Sequence, residues 1–442
     1  IMDKLISFSL PLMLSGILQL MFNAVDIIVV GRFSGSEALA AVGSTTALIS
    51  MFTNLFIGVS LGTSVLTARF YAAGRDQEVS ETVHTSIMLA LLSGILMVFV
   101  GLFFSRGALE LMDTPDDVID LSTLYMKIYF VGMPFFMLYN YGAAVLRAVG
   151  DTKRPLFFLI ISGVLNAGLN LFLVVVFHMG VAGVGIATVI SQMVSCVLVL
   201  ICLYRAESSY QLRLSKLTMK GVYLKQIFQV GVPAGIQSTV INFSNVLLQS
   251  SVNSFGSIAM AGYTAANNLL GFLYASVNSI TQACMSFTSQ NYGVGKWKRM
   301  DRVLIDCMIL TTGVALVIGG AFYGFGPEIL KIYTDNEEVV RSGMEILSFT
   351  TLTYFLCGLM DLFPGALRGM GHSAVPMILS VLGTVGTRVV WIFLIFPQHR
   401  SLDILFISYP VSWLLTILMQ VICFGFVRKK VHESLKKSGA AA

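Results

Sequence analysis

Long apolar runs separated by short polar breaks make up nearly the whole chain. Twelve such runs can be counted, at residues 5–30, 40–68, 83–104, 122–146, 156–178 and 182–204, then 226–253, 259–289, 303–325, 343–367, 375–396 and 403–427. Each is at least about the 20 residues that cross roughly 30 Å of hydrocarbon as a helix. Closed barrels, the other spanning solution, need alternating strands of about ten residues, and these runs are too long and too continuously apolar for that. The pattern predicts an all-α membrane protein with twelve transmembrane helices.

The second six runs repeat the first six. Leu146-Arg147-Ala148-Val149-Gly150 followed by Pro155 returns as Leu367-Arg368-Gly369-Met370-Gly371 followed by Pro376. The same offset carries Tyr71-Ala72-Ala73-Gly74 onto Tyr292-Gly293-Val294-Gly295, and one residue more carries Pro11 onto Pro233 and Asn23 onto Asn245. The expected organisation is an N-lobe of helices 1–6 at residues 1–205, a linker at 206–224, and a C-lobe of helices 7–12 with a basic tail at 225–442. An even number of helices per repeat makes both halves enter the membrane in the same direction, so their pseudo-two-fold axis is expected along the membrane normal. Internal repeats of this kind build alternating-access transporters, and function is expected at the seam between lobes.

Composition sharpens the picture. Apolar residues make up 56% of the 442 and charged residues only 12%, too few to cover a water-soluble surface of this size. The basic residues gather in alternate loops: Arg69 and Arg75; Arg147, Lys153 and Arg154; Arg205, Arg213, Lys216, Lys220 and Lys225; Lys296, Lys298, Arg299 and Arg302; and the tail. The intervening loops are acidic or sparse, as at Asp113, Asp116 and Asp117 or Asp335, Glu337 and Glu338. By the positive-inside rule both termini are cytoplasmic. The net charge of +5 is spread over these loops without an aromatic-interleaved patch, which points to anionic lipid and away from nucleic acid. The six cysteines all fall inside apolar runs without ligand spacing, so neither a disulfide nor a zinc site is expected.

Ionisable side chains within the runs are costly and each needs a reason. Asp26, on the first span, shares one helix face with Gln19 and Asn23, spaced at four and three residues. Asn166 and Asn170 make a second polar face on the fifth span, and Thr188 on the sixth is placed to join them. A carboxylate with amide and hydroxyl neighbours can hold a proton, a sodium ion or a cationic amine. A purely structural role, as the partner of Lys127 on the fourth span, explains Asp26 as well. In the second half Asp306, Asp361 and Arg388 occur on the ninth, tenth and eleventh spans, where charge compensation competes with a direct part in binding. Pro11 removes a backbone hydrogen bond on the helix that carries Asp26 and is the expected bend of that helix.

Taken together, the stretch from Pro11 to Gly31, the segment Ala68-Arg69-Phe70-Tyr71-Ala72-Ala73-Gly74 with its mate Ser289-Gln290-Asn291-Tyr292-Gly293-Val294-Gly295, and Leu146 through Pro155 resemble the multidrug and toxic-compound extrusion (MATE) family over essentially the whole chain. The resemblance is to its DinF-like branch. It implies two six-helix lobes in a V and antiport of cationic amphiphiles against protons or sodium. Asp26 matches the family's coupling acid and Pro11 the proline fifteen residues before it. Asn166, Asn170 and Thr188 stand where the branch has an asparagine, an aspartate and a threonine. The amide at Asn170 removes one negative charge and weakens the case for sodium. Another branch carries a glutamate on the seventh span; here Ile241 and Asn242 lie there. Asp361 lies about a turn from that branch's acid on the tenth span.

The residues and the resemblance together point to a proton-driven exporter of cationic amphiphilic drugs in the inner membrane, monomeric, with membrane lipids as neighbours and no cofactor. Asp26, Asn166, Asn170 and Thr188 form the coupling group, with sodium there as the alternative ion and otherwise no metal; Gln19, Asn23 and Asp361 are cavity candidates, and Lys127, Asp306 and Arg388 structural charge partners. The competing transporter reading, a flippase for lipid-linked saccharides, calls for a cluster of membrane cations that is not seen. An enzyme would need grouped ligands or a nucleophile with a base at helical spacing, and neither is present.

Overall fold

The computed structural model describes residues 1–437; residues 438–442, the end of the expected C-lobe, lie outside the described residues. Helix makes up 86% of the chain, with no strand among the described residues. In chain order the first repeat comprises α1 (Met2–Phe33), α2 (Gly35–Ala72), α3 (Asp76–Leu111), α4 (Ile119–Val131), α5 (Met133–Ala148), α6 (Lys153–Asn170) and α7 (Val181–Tyr204). The second comprises α8 (Gly221–Asn253), α9 (Ser257–Gly293), α10 (Trp297–Gly324), the short α11 (Gly326–Leu330), α12 (Glu337–Thr350), α13 (Tyr354–Gly369), α14 (Ala374–Ser380), α15 (Thr387–Val390) and α16 (Leu402–Lys437). π-helical turns at Leu171–Val176, Val381–Gly386 and Trp391–Ile395 extend α6 and join α14 to the end of the eleventh span.

Among the described residues eight spans are long and apolar enough to cross a membrane singly, and two more do so as bent pairs, α4 with α5 at 47° and α12 with α13 at 50°. The remaining two of the twelve, α8 and α9, have the length at 33 and 37 residues. They fall short in apolarity because amides such as Gln237, Asn242, Asn245 and Gln249, or Asn267 and Asn268, interrupt them.

The repeat seen in the sequence recurs in backbone geometry. The break at Gly132 between α4 and α5 corresponds to the break at Thr351–Thr353 between α12 and α13. Left-handed glycines recur in three matched pairs: Gly35 (φ 88°) with Gly256 (105°), Gly74 (70°) with Gly295 (73°), and Gly150 (96°) with Gly371 (86°). These corners close helix ends at a conformation that a Cβ disfavours, which explains why both repeats keep glycine there.

The chain packs as two compact units whose borders differ from the sequence repeat. One runs from Ile17 to Gly235; the other joins Ile1–Gly16 to the chain from Ile236 onward. Packing supplies the reason. Leu5, Phe8 and Leu12, spaced three and four apart on the first half of α1, are buried in one cluster with Ile280, Cys284, Val303, Cys307, Leu362 and Phe363 of α9, α10 and α13. In the other unit the first half of α8 lies backbone to backbone on α2: a Cβ at Gly231 would strike the main chain of Val59, and one at Gly58 that of Gly235. The linker stays with that unit, since His84 Nε2 accepts from the Arg213 N–H at 3.0 Å and Thr85 Oγ1 from the Lys220 N–H at 3.2 Å. Each long helix thus changes unit within about two turns of its proline, Pro11 or Pro233.

The corner glycines generate a test. Gly150→Ala is expected to lower stability by about 1–2 kcal/mol, the cost of a left-handed non-glycine residue. Gly107→Ala, at a helical position with open space around it, should stay within about 0.5 kcal/mol of the parent. Thermal unfolding in detergent compares the two, and equal shifts would contradict the conformational explanation.

Candidate functional site

Within the unit from Ile17 to Gly235, the second half of α1 meets α6 along a matched set of positions. Gly163, Asn166 and Asn170 lie at spacings of three and four and so face the same way. The ring of Phe22 fills the space where a Gly163 side chain would stand. One turn further on, Asp26 reaches the two asparagines. Asn166 Nδ2 donates to Asp26 Oδ1 at 2.9 Å, and Asn170 Nδ2 donates to the same oxygen. The glycine sets the close approach; the amides then define where the carboxylate points.

The hydrogen bonding around the acid is lopsided. Both amides use Oδ1 of Asp26, so Oδ2 accepts nothing among the described residues, and it is not enclosed. The side-chain oxygens of Asn166 and Asn170, by contrast, are enclosed and unpaired. Asn170 is fully buried and Asn166 nearly so. Three oxygens without donors therefore gather around one acid, and buried acceptors of this kind call for a proton, a cation or water. Among the described residues no group of three or more His, Cys, Asp or Glu side chains could hold a metal ion.

The other expected residues fall in different places. The Thr188 hydroxyl donates to the Val184 carbonyl of its own helix at 2.9 Å and does not reach Asp26. Gln19 and Asn23 are exposed on α1. Lys127 is half-buried and forms no ion pair among the described residues. Helix geometry accounts for this. Tyr125 and Tyr129 of α4 lie on the side near Asp26, and Lys127, about 200° round the helix from Tyr125, faces away. These two tyrosines, with Gln192 of α7 beside Tyr129, are the neighbours that a search for charged residues passes over. Their phenols carry no charge, and only the α4 face reveals them.

In the other unit Asp306 is buried and pairs with Arg302, one turn earlier on α10, at 2.9 Å. Asp361 on α13 is half-buried beside Tyr274 and Arg368, and Arg368 Nη2 donates to Gln237 Oε1 at 2.5 Å. Arg388 is bound by Ser244, Asn245 and Ser412 and by no acid. Pro11 lies within an unbroken α1, and the Ser15 hydroxyl donates to its carbonyl at 2.9 Å.

Two homologous six-span repeats, each with bent and π-turned helices and with polar groups held inside the bundle, define a polytopic membrane transporter of the duplicated kind. The profile of the MatE family matches twice, over residues 11–172 and 233–394, and the chain belongs to that family. It is 29% identical over 437 residues to the probable multidrug resistance protein YoeA of Bacillus subtilis, covering 96% of this chain and 93% of that one. It is 24% identical over 436 residues to the multidrug export protein MepA of Staphylococcus aureus, covering 94% and 95%. Among solved structures, MATE in complex with MaL6 superposes with a TM-score of 0.90 at 20% identity, over 99% of this chain and 97% of that one. The MATE transporter VcmN of Vibrio cholerae gives 0.90 at 18%, over 97% of each. These likenesses establish the shared fold.

A substitution at the glycine tests whether the α1–α6 approach builds the site. Gly163→Ala is expected to destabilise by about 1–3 kcal/mol through overpacking against Phe22. Adding Phe22→Ala should recover a large part of that loss in thermal unfolding. Strictly additive losses would show that the two positions are not in contact.

Proposed function

We propose that the protein is a proton-driven antiporter that exports cationic amphiphilic compounds, with Asp26 as the group that takes up and releases the proton. The observation that carries this reading is the unpaired, unenclosed Oδ2 of an intramembrane carboxylate whose other oxygen is fixed by two amides. A fixed acid with one open oxygen can exchange a proton or a cationic amine at that atom, and the two compete for it. An intramembrane carboxylate on a transporter is by default a group on the substrate or ion path. The names of YoeA and MepA support multidrug compounds as the substrate class. The gathering of Lys and Arg in alternate loops supports an orientation with both termini cytoplasmic, in a protein proposed to reside in the bacterial inner membrane.

Sodium coupling is the second reading, and one observation favours it: the enclosed, unpaired oxygens of Asn166 and Asn170 are hard neutral ligands beside a carboxylate. Against it, Asn170 contributes no charge, so Asp26 would be the only anion to offset the ion. Protonation needs only the single carboxylate.

In the proton scheme, uptake at Asp26 weakens its hold on a cationic compound, and release on the opposite side restores it. Efflux of a fluorescent cationic dye from proteoliposomes under separately imposed pH and sodium gradients tests the choice. Transport is expected to follow the pH gradient and to fall to background in Asp26→Asn. Transport driven by sodium alone would assign the coupling to the asparagine oxygens, and undiminished transport in the variant would remove Asp26 from the mechanism.

Pro11 is proposed to ease flexing of α1 between its two packing partners. Pro11→Ala is expected to slow dye turnover several-fold while leaving the dye's dissociation constant within about twofold of the parent, less than about 0.5 kcal/mol. An equal loss in both would mark a folding defect.

A further inference from the structure

The second unit holds a buried cation at the position related by the repeat to the acid site. The offset that carries Asn23 onto Asn245 also carries Asp26 onto Leu248 and Asn166 onto Arg388. Where the first repeat places an acid against an amide, the second places a guanidinium against one, so the duplicated site has exchanged the sign of its charge.

Arg388 is 3% exposed. Its Nη1 donates to Asn245 Oδ1 at 2.7 Å and to Ser244 Oγ at 3.1 Å, its Nε to Ser412 Oγ at 3.4 Å, and its guanidinium carbon stands 4.7 Å from the centre of the Tyr409 ring. The two serine hydroxyls spend their own protons on the carbonyls of Ile241 and Tyr409. Every partner is therefore a neutral acceptor or a ring face. No carboxylate lies within ion-pair distance of Arg388 among the described residues.

A lone cation in hydrocarbon surroundings is among the least favourable arrangements a membrane protein can hold, and neutral acceptors orient it without cancelling its charge. Two donors beside it are left over. Nη2 of Arg388 has no hydrogen bond and, unlike Nε of Arg368, is not enclosed. The Nδ2 group of Asn245, whose oxygen already serves Nη1, is likewise unpaired and not enclosed. Asn245 is half-buried, and Asn242 and Gln249 share its face of α8 at spacings of three and four, with Asn242 exposed. An amide-lined strip of helix thus leads from exposed surface to the cation.

We propose that Arg388 and Asn245 form an anion subsite in this unit, taking a monovalent anion through Arg388 Nη2 and Asn245 Nδ2. A guanidinium suits a carboxylate or a halide because it offers fixed donors and a charge that does not titrate away. The subsite lies wholly on α8, α15 and α16, and binding there requires no transport, so it stands or falls apart from the ion that couples at Asp26.

Calorimetric titration of the purified protein in lipid nanodiscs, in chloride-free buffer, with sodium benzoate and separately with sodium chloride, tests the proposal. Saturable binding is expected, weakened about tenfold or more in Arg388→Gln and less in Arg388→Lys. Benzoate binding would make the occupant an organic carboxylate, and binding of chloride alone an inorganic counter-ion. Absence of saturable binding with both, or unchanged binding in Arg388→Gln, overturns the proposal. Asn245→Asp guards against a misfolded charge variant. It sets a carboxylate beside the guanidinium and is expected to raise the melting temperature and abolish anion binding, whereas parental anion binding in that variant would also overturn the proposal.

Discussion

In hydrocarbon a polar group has only the protein to satisfy it, and that constraint organises this molecule. Backbone groups meet it through helix. Serine and threonine hydroxyls inside the spans meet it by donating to carbonyls three or four residues back, as at Thr45, Thr53, Thr350 and Thr416. Groups that this local solution cannot serve stand out against that background. Chief among them are the open oxygen of Asp26, the two asparagine oxygens near it, and the guanidinium of Arg388.

The same constraint explains what was legible in the sequence. Spans and repeat could be read because apolar length and recurring motifs leave residue-level marks; Gly74 with Gly295 and Gly150 with Gly371 stood within those motifs, but their left-handed corners showed only in the backbone. The association of Asp26 with Asn166 and Asn170 was partly legible, since spacings of three and four put each set on one helix face. Their direct hydrogen bonding needed the α1–α6 approach, which rests on Gly163 accepting the ring of Phe22. Nothing in the spacing distinguished that glycine from those that merely pack.

What could not be read has physical causes as well. Charge alone suggested Lys127 as a partner for Asp26, but helix phase turns Tyr125 and Tyr129 to the acid and Lys127 away from it. Thr188 satisfies itself on its own helix. Arg388 read as half of a salt bridge because a membrane cation ordinarily has an acid, and here its partners are hydroxyls and an amide. The borders of the compact units were hidden because they fall inside continuous helices, where neither composition nor charge changes.

Those borders bear on how far each repeat depends on the other. Residues 1–16 belong to the unit built mainly from the second repeat, and residues 221–235 to the unit built from the first. An exchange of equivalent segments between two copies of one fold is the signature of a domain swap. Because one chain carries both repeats, the exchange here is intramolecular and independent of protein concentration. Neither repeat cut free at the linker would contain a complete unit; each would hold a strut that belongs in the other.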